Sequence, residues 1–115
     1  MRRLLLFLNQ VAAREAMRGA KPVVSVILVD DDYIADLNQR FKSRAGPTDV
    51  LAFDDPDYPE VYVCIQEAGR RGPVDLETAR LALHGTLHLM GYDHHQTEDA
   101  VLMQAKEQEY IELWV

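Results

Sequence analysis

All four histidines of this 115-residue chain lie in one short window, from His84 to His95. His84 and His88 are four positions apart, so on a helix they project from the same face, one turn from each other. Two imidazoles at that spacing can reach one metal ion. Gly91 follows, and a glycine there can adopt the left-handed conformation that ends a helix. The chain can then turn and bring His94 back towards the first two rings.

This cluster is typical of a catalytic metal site. Three neutral imidazoles with an open fourth position suit catalytic zinc, whereas structural zinc sites are usually closed and rich in cysteine. The spacing favours His84, His88 and His94 as the ligands and leaves His95 as the alternative to His94. Three imidazoles also bind nickel or copper, so the pattern does not fix the metal. The competing interpretation is a buried amphipathic helix with incidental histidines, but four clustered histidines at ligand spacing favour the metal site.

The spacing His-x3-His-x5-His is also that of the metzincin proteases. Those enzymes carry a glutamate directly after the first histidine, and it is the general base for peptide hydrolysis. Here Gly85 occupies that position and has no side chain to take a proton. The sequence therefore predicts a zincin-like metal site without the zincin base.

Composition sets further limits. Apolar residues make up 48% of the chain and charged residues 27%, as in an ordinary globular protein, and we expect one domain over residues 1–115. The single cysteine, Cys64, excludes an internal disulfide, is more typical of packing than of a nucleophile, and favours a reducing cytoplasm. No apolar run approaches membrane-spanning length. The net charge of −7 argues against a uniformly basic nucleic-acid-binding surface but is compatible with a local basic groove.

Hydrophobic periodicity predicts an α+β fold, with a small mixed sheet of about three strands and about four helices. Residues 22–30 form a β-branched run suited to a strand buried on both faces, and residues 67–73 are expected to be a connection with one helical turn. Expected helices cover 2–18, 32–42, 76–90 and a C-terminal segment; expected strands cover 22–30, 49–53 and 61–65. The expected N-caps are Asp30 or Asp31, Asp75 and Thr97, and the expected core positions include Ile34, Leu37, Phe41, Met103, Tyr110 and Trp114.

Two motifs resemble a known family. Residues 84–94 fill every specified position of His-Gly-x-Leu-His-Leu-x-Gly-Tyr-Asp-His, and Pro47-Thr48-Asp49-Val50-Leu51-x-Phe53 follows Leu37-Asn38-x-x-Phe41. On these residues the sequence resembles the YbeY family of bacterial rRNA maturation endoribonucleases. The resemblance implies a zincin-like α+β fold and one zinc ion on His84, His88 and His94. It also implies cleavage of single-stranded RNA in maturation of the 16S rRNA 3′ end and in ribosome quality control, with RNA and the ribosomal particle as partners.

The resemblance also implies roles for individual residues. Lys42 stands where the family usually has an arginine that serves catalysis, so it and His84 are the expected catalytic residues. Lysine keeps the positive charge but cannot form the bidentate hydrogen bonds that arginine makes with phosphate. The expected substrate-binding residues are Arg40, Lys42 and Arg44. Two further departures are Ala52 for a serine and Pro59-Glu60 for Gly-Asp. Asp93 fits either a partner of a ligand imidazole or a turn residue, and we interpret Glu60 as a solvated strand end rather than a base.

Two other functions stay open at this point. A zinc hydrolase acting on peptides or small amides would share the histidine spacing, but Gly85 counts against it. A non-catalytic ribosome-associated zinc module would need a closed site, and the open fourth position counts against that.

Overall fold

Five helices and three strands make up the part of the chain that this computed structural model describes, residues 2–16, 24–42, 48–92 and 96–115. The α+β expectation is confirmed. No helix within those ranges is both long and apolar enough to cross a membrane. In chain order the elements are α1 (Arg2–Ala16), β1 (Ser25–Val29), α2 (Asp31–Lys42), β2 (Val50–Phe53), β3 (Glu60–Cys64), α3 (Ile65–Arg71), α4 (Val74–Leu89) and α5 (Thr97–Ile111).

The sheet is mixed, with the strand order β1-β3-β2. β1 runs parallel to β3, and β2 runs antiparallel to it. β1 is thus an edge strand, and its side chains from Val26 to Val29 are only half-buried while Ser25 is exposed. The expectation of a strand buried on both faces was wrong, because helices cover the sheet margin less completely than its centre.

The sheet is packed on both faces, and α4 lies against one of them. Its stripe of Ala79, Leu83 and Leu87 is fully buried against Val61 and Val63 of β3. Each large aliphatic side chain buried in this way stabilises the fold by roughly 1.5–3 kcal/mol. The same core contains Leu4, Phe7 and Val11 of α1 and, as predicted, the docking residues Met103, Tyr110 and Trp114.

The opposite face of the sheet is covered by α2. Ile34 and Leu37 pack there with Leu51 and Cys64, as the apolar stripe predicted. Burial raises the pKa of the Cys64 thiol, which fits packing rather than nucleophilic chemistry. Phe41 was wrongly placed in the core: it is 57% exposed, and its ring packs edge to face with the Phe53 ring at 5.7 Å.

The helix boundaries differ from the predictions at several ends. Asp30 caps α2 as expected, since its Oδ1 accepts the Tyr33 N–H at 2.8 Å. The predicted caps Asp75 and Thr97 are wrong: α4 begins at Val74 and α5 at Thr97 itself, neither with a side-chain cap.

The predicted connection before α4 is a seven-residue helix, α3. Long-range ion pairs tether it: Arg70 pairs with Asp31 at the start of α2, and Arg71 pairs with Asp49 just before β2. A helix this short is marginal alone, which is why local sequence signals did not reveal it.

Candidate active site beside helix α4

Helix α4 places two of the predicted metal ligands at the edge of its packed face. Leu83 and Leu87 are buried, so the next residue in each case, His84 and His88, is rotated about 100° towards solvent. The His84 side chain is 39% exposed and His88 is exposed. The helix ends at Leu89, and Gly91 has a φ of 105°, as predicted for a helix-ending glycine.

Several other members of the predicted site are not among the described residues. The third predicted ligand, His94, its alternative His95, Asp93 and the cation Arg44 lie outside the described residues. Within the described ranges, no three His, Cys, Asp or Glu side chains are grouped so as to hold a metal ion. Two of the three predicted ligands are therefore positioned by α4, and the third belongs to the segment that follows Tyr92.

His84 has a carboxylate partner on α5. Its Nδ1 lies 2.5 Å from Oε1 of Glu107, so the ring donates the Nδ1–H to that oxygen. This hydrogen bond raises the pKa of the imidazole above its ordinary value, and partial burial opposes the increase. A carboxylate on one ring nitrogen fixes the tautomer and orientation of a histidine whose other nitrogen is a metal ligand. Sequence reasoning missed Glu107, because it is one of several acids on α5 and no spacing singles it out.

His88 opens onto a cleft that also contains Lys42. The cleft has a volume of about 440 Å³ and its lining includes Lys42, Phe53, Asp54, Asp55 and His88. Lys42 Nζ lies 3.4 Å from the carbonyl oxygen of Ala52 and 5.0 Å from the centre of the Phe53 ring. The last turn of α2 and the last turn of α4 thus bring a cation and an imidazole to one cavity.

Arg40 has a different position from Lys42. Its guanidinium pairs with Asp36, one turn earlier on α2, at 3.2 Å, and both side chains are more than 60% exposed. It is not among the residues that line the cleft. Among the described members of the predicted substrate-binding set, Lys42 therefore shares the cleft with His88, and Arg40 lies outside it.

Two carboxylates that the sequence did not suggest share the cleft with Lys42. Asp55 accepts the backbone N–H groups of Tyr58 and Asp57 at 2.9 and 2.8 Å, and these bonds lower its pKa. Asp54 stands beside it at the end of β2. Near neutral pH the described lining therefore combines one lysine with acidic side chains, so it is not by itself an anion-binding pocket.

Gly85 faces the sheet rather than the cleft. A Cβ atom built at this position would lie 2.6 Å from Val61 Cγ1 and 3.1 Å from Val50 Cγ2, closer than side chains approach one another. Glycine is thus required for α4 to pack on β2 and β3. A glutamate at position 85 would direct its carboxylate into the apolar core, so this helix cannot present the zincin base as it is packed here.

A buried carboxylate holds the chain just after the helix-ending glycine. Tyr92 donates its hydroxyl to Glu15 Oε1 at 2.7 Å, and Tyr110 donates to the other carboxylate oxygen. Glu15 is only 2% exposed, and Lys106 Nζ lies 4.0 Å from it. Helices α1 and α5 therefore fix the residue from which the segment carrying His94 departs.

The family profile and the named relatives place this chain in the nuclease class of hydrolases. The family profile of endoribonuclease YbeY matches residues 2–114, and the chain belongs to that family. The endoribonuclease YbeY of Carboxydothermus hydrogenoformans is 35% identical over 104 residues, which cover 81% of this chain and 73% of the relative. That of Thermotoga maritima is 39% identical over 98 residues, covering 77% and 65%. The solution structure of a Thermotoga maritima protein superposes with a TM-score of 0.63 at 35% identity, covering 96% of this chain and 81% of that one.

Proposed function

We propose that this protein is a zinc-dependent, single-strand-specific endoribonuclease. It acts in the cytoplasm on the 3′ end of 16S rRNA during maturation, and on ribosomal particles in quality control. The observation that carries the proposal is the cleft that joins Lys42 to His88, beside a histidine motif shared with a family of endoribonucleases. Cleavage of a phosphodiester mainly requires neutralisation of the phosphate charge and an activated attacking oxygen, which a metal ion and a lysine can supply.

The residues at the end of α4 fit a zinc ion. His84 and His88 would hold it together with His94, and imidazole nitrogen suits zinc, with nickel or copper as alternatives in a preparation. The hydrogen bond from His84 Nδ1 to Glu107 supports ligation through Nε2, because it fixes the proton on the other nitrogen. Zinc bound there would supply Lewis-acid polarisation of a phosphate oxygen.

The chain's own groups position the substrate. The Lys42 ammonium, which lines the cleft, offsets the charge of the scissile phosphate. Asp54 and Asp55 line the same cleft and repel phosphates, so the RNA backbone is held close to Lys42 and His88. Peptide hydrolysis is disfavoured, because a poor amine leaving group needs a carboxylate to relay a proton and position 85 is buried against Val61.

The purified zinc-loaded protein should cut unstructured RNA and leave casein-like peptides intact. Chelation should stop the cutting, and rising salt should weaken it because phosphate contacts hold the substrate. His88→Ala, prepared in parallel, is the control: His88 is exposed, so the variant should fold and fail to cut. Equal cleavage by the variant would assign the activity to a contaminating nuclease, and peptide cleavage without RNA cleavage would make the protein a peptidase.

Two further measurements test the finer parts of the proposal. His94→Ala should lose zinc at a chelator concentration at which His95→Ala keeps it, and the reverse order would show that His95 is the third ligand. Cells that lack the protein should accumulate 16S rRNA with an unprocessed 3′ end. Restoration of processing by His88→Ala would contradict a role for its nuclease activity.

A further inference from the structure

Four aromatic rings form a continuous row along the α2 side of the sheet, and one of them, Phe53, lines the cleft. The rings of Phe41 and Phe53 are 5.7 Å apart, those of Phe53 and Tyr62 are 5.6 Å apart, and those of Tyr62 and Tyr33 are 6.3 Å apart. The first two pairs meet edge to face, and the last pair is stacked with an angle of 21° between the planes. Two rings come from α2, one from β2 and one from β3.

Packing alone does not account for this row. Phe53 and Tyr62 are half-buried against the cluster beneath α2, but Phe41 is 57% exposed and Tyr33 is 53% exposed. Both outer rings keep much of their surface in water. The core would lose little if smaller or polar residues stood at these two exposed positions of α2. Two exposed aromatic rings joined through two half-buried ones form an apolar patch beside the candidate catalytic cleft, and such patches mark binding surfaces.

The row is joined to the cleft, and two cations lie beside it, of which Arg40 is also paired with Asp36. Phe53, the second ring of the row, lines the cleft with Lys42 and His88, so the row passes beside the place where the scissile phosphate is proposed to lie. Lys42 Nζ lies 5.0 Å from the Phe53 ring centre, and Arg40 Cζ lies 5.3 Å from that of Phe41. Cations placed beside aromatic rings in this way are the common arrangement of single-strand nucleic-acid sites, in which the rings stack on bases and the cations track the backbone.

We propose that the row of Phe41, Phe53, Tyr62 and Tyr33 is a base-stacking surface for single-stranded RNA on one side of the scissile phosphate. The proposal rests on the endoribonuclease function proposed above and deepens it, because it supplies a physical origin for single-strand preference. Bases in a duplex are stacked on one another and cannot present their faces to protein side chains, whereas unpaired bases can. Every base has such a face, so the surface should tolerate sequence differences.

The experiment measures binding of a short, unstructured, fluorescently labelled RNA to metal-free protein, so that no cutting occurs. Phe41→Ala and Phe41→Leu should weaken binding about tenfold, the order expected for one lost base–aromatic stack. Phe41→Tyr should bind like the native protein because it keeps the ring. The matched control is Leu6→Ala on α1, where the side chain is 59% exposed and distant from the row in sequence; it should have no effect.

A backbone of the same length without bases separates stacking from charge. The native protein should bind this abasic strand weakly, and Phe41→Ala should weaken it no further. The salt dependence of RNA binding should be the same for Phe41→Ala and native protein, because stacking releases no counterions. Tyr33→Ala should repeat the effect and Tyr33→Phe should not, which keeps the test valid if Phe41→Ala is poorly folded.

Native-like RNA binding by both Phe41→Leu and Tyr33→Ala, in a protein that cuts RNA, would overturn the stacking surface and leave the nuclease function standing. If binding depends on the aromatic rings but the protein does not cut RNA, the stacking surface is supported and the proposed nuclease function is wrong. Equal binding of the abasic strand and RNA would overturn the stacking surface whichever way the cleavage assay turns out.

Discussion

The two sides of α4 obey different constraints within a single turn. On the sheet side, Gly85 and Thr86 are buried, and even a methyl group at position 85 would clash with Val61. On the other side, which we call the cleft side, His88 is exposed at the cleft, and His84 is partly exposed in a neighbouring pocket with Glu107. The sheet side therefore sets where the helix lies, and the cleft side carries groups that can be changed without repacking the core.

The two sides of α4 also differ in whether their polar side chains have hydrogen-bond partners. The His84 ring donates to Glu107 across the α4–α5 boundary, whereas Thr86 Oγ1, on the buried side, has no hydrogen-bond partner among the described residues. The imidazole of the proposed metal ligand His84 is held in one orientation by a hydrogen bond, and the buried Thr86 hydroxyl is held only by packing. Substitutions on the sheet side should consequently change stability, and those facing the cleft should change activity.

The largest effect is expected at Gly85. Gly85→Glu should prevent folding, and Gly85→Ala should lower the free energy of unfolding by about 1–3 kcal/mol, because the added Cβ meets stiff valine side chains of two strands. Denaturation by urea measures the change. The matched control is Gly69→Ala in α3, where a Cβ would meet only Val74 Cγ2 at an ordinary 3.9 Å; alanine there should stabilise by roughly 0.5–1 kcal/mol. Native-like stability of Gly85→Glu would show that the sheet side is not tightly constrained.

On the cleft side, Lys42→Ala should lower RNA cleavage roughly 100-fold, the order found when one preorganised group that stabilises transition-state charge is removed. Zinc content and melting temperature should change little, since Lys42 is exposed. Lys42→Arg should remain active, because a guanidinium can bind phosphate through two hydrogen bonds.

The salt dependence of RNA binding provides a second readout for Lys42. Loss of one phosphate contact should reduce the slope of log K against log salt by about 0.7. A native cleavage rate together with an unchanged slope would show that Lys42 does not contact the phosphate.

Local signals in the sequence predicted much of this arrangement. The four-residue spacing of His84 and His88, the glycine at position 91 and the β-branched run of β1 each act within one element. They therefore predicted the histidine-bearing face, the helix end and the strand correctly. The cap of α2 was likewise narrowed to Asp30 or Asp31, and Asp30 is the one that accepts the Tyr33 N–H three residues away.

Features that depend on distant contacts were not predictable in this way. Glu107 becomes a partner of His84 only when α5 docks on α4, and α3 forms where Arg70 meets Asp31. Position 85 was interpreted from the sequence as lacking a base, and the structure adds that its Cβ direction is occupied by Val61. The two departures at positions 42 and 52 also proved to be neighbours, since the Lys42 ammonium lies 3.4 Å from the carbonyl oxygen of Ala52.

A smaller effect is expected at Glu107 of α5, which accepts a hydrogen bond from His84. Glu107→Gln keeps the shape of the side chain but removes the carboxylate that accepts from His84 Nδ1, so it should weaken zinc binding about 10–100-fold. Competition with a chromophoric chelator measures the affinity, which makes the result independent of catalysis. Glu98→Gln, an exposed acid in the first turn of the same helix, is the control. Equal zinc affinity of Glu107→Gln and native protein would mean that Glu107 does not position the ligand.

The smallest effect is expected at Thr86, and it has the opposite sign. Thr86 is 3% exposed and its hydroxyl finds no partner in the described part of the chain, so folding removes that group from water without replacing its hydrogen bonds. Thr86→Val has nearly the same shape and a similar helix propensity, so it should raise the free energy of unfolding by about 1 kcal/mol. Thr86→Ala removes the methyl group as well and should lose that gain, because it leaves a space against the sheet. RNA cleavage per folded molecule should be unchanged in both variants, since position 86 lies on the sheet side. A stability loss in Thr86→Val would show that the hydroxyl is satisfied in solution, and a change in cleavage would show that the two sides of α4 are not independent.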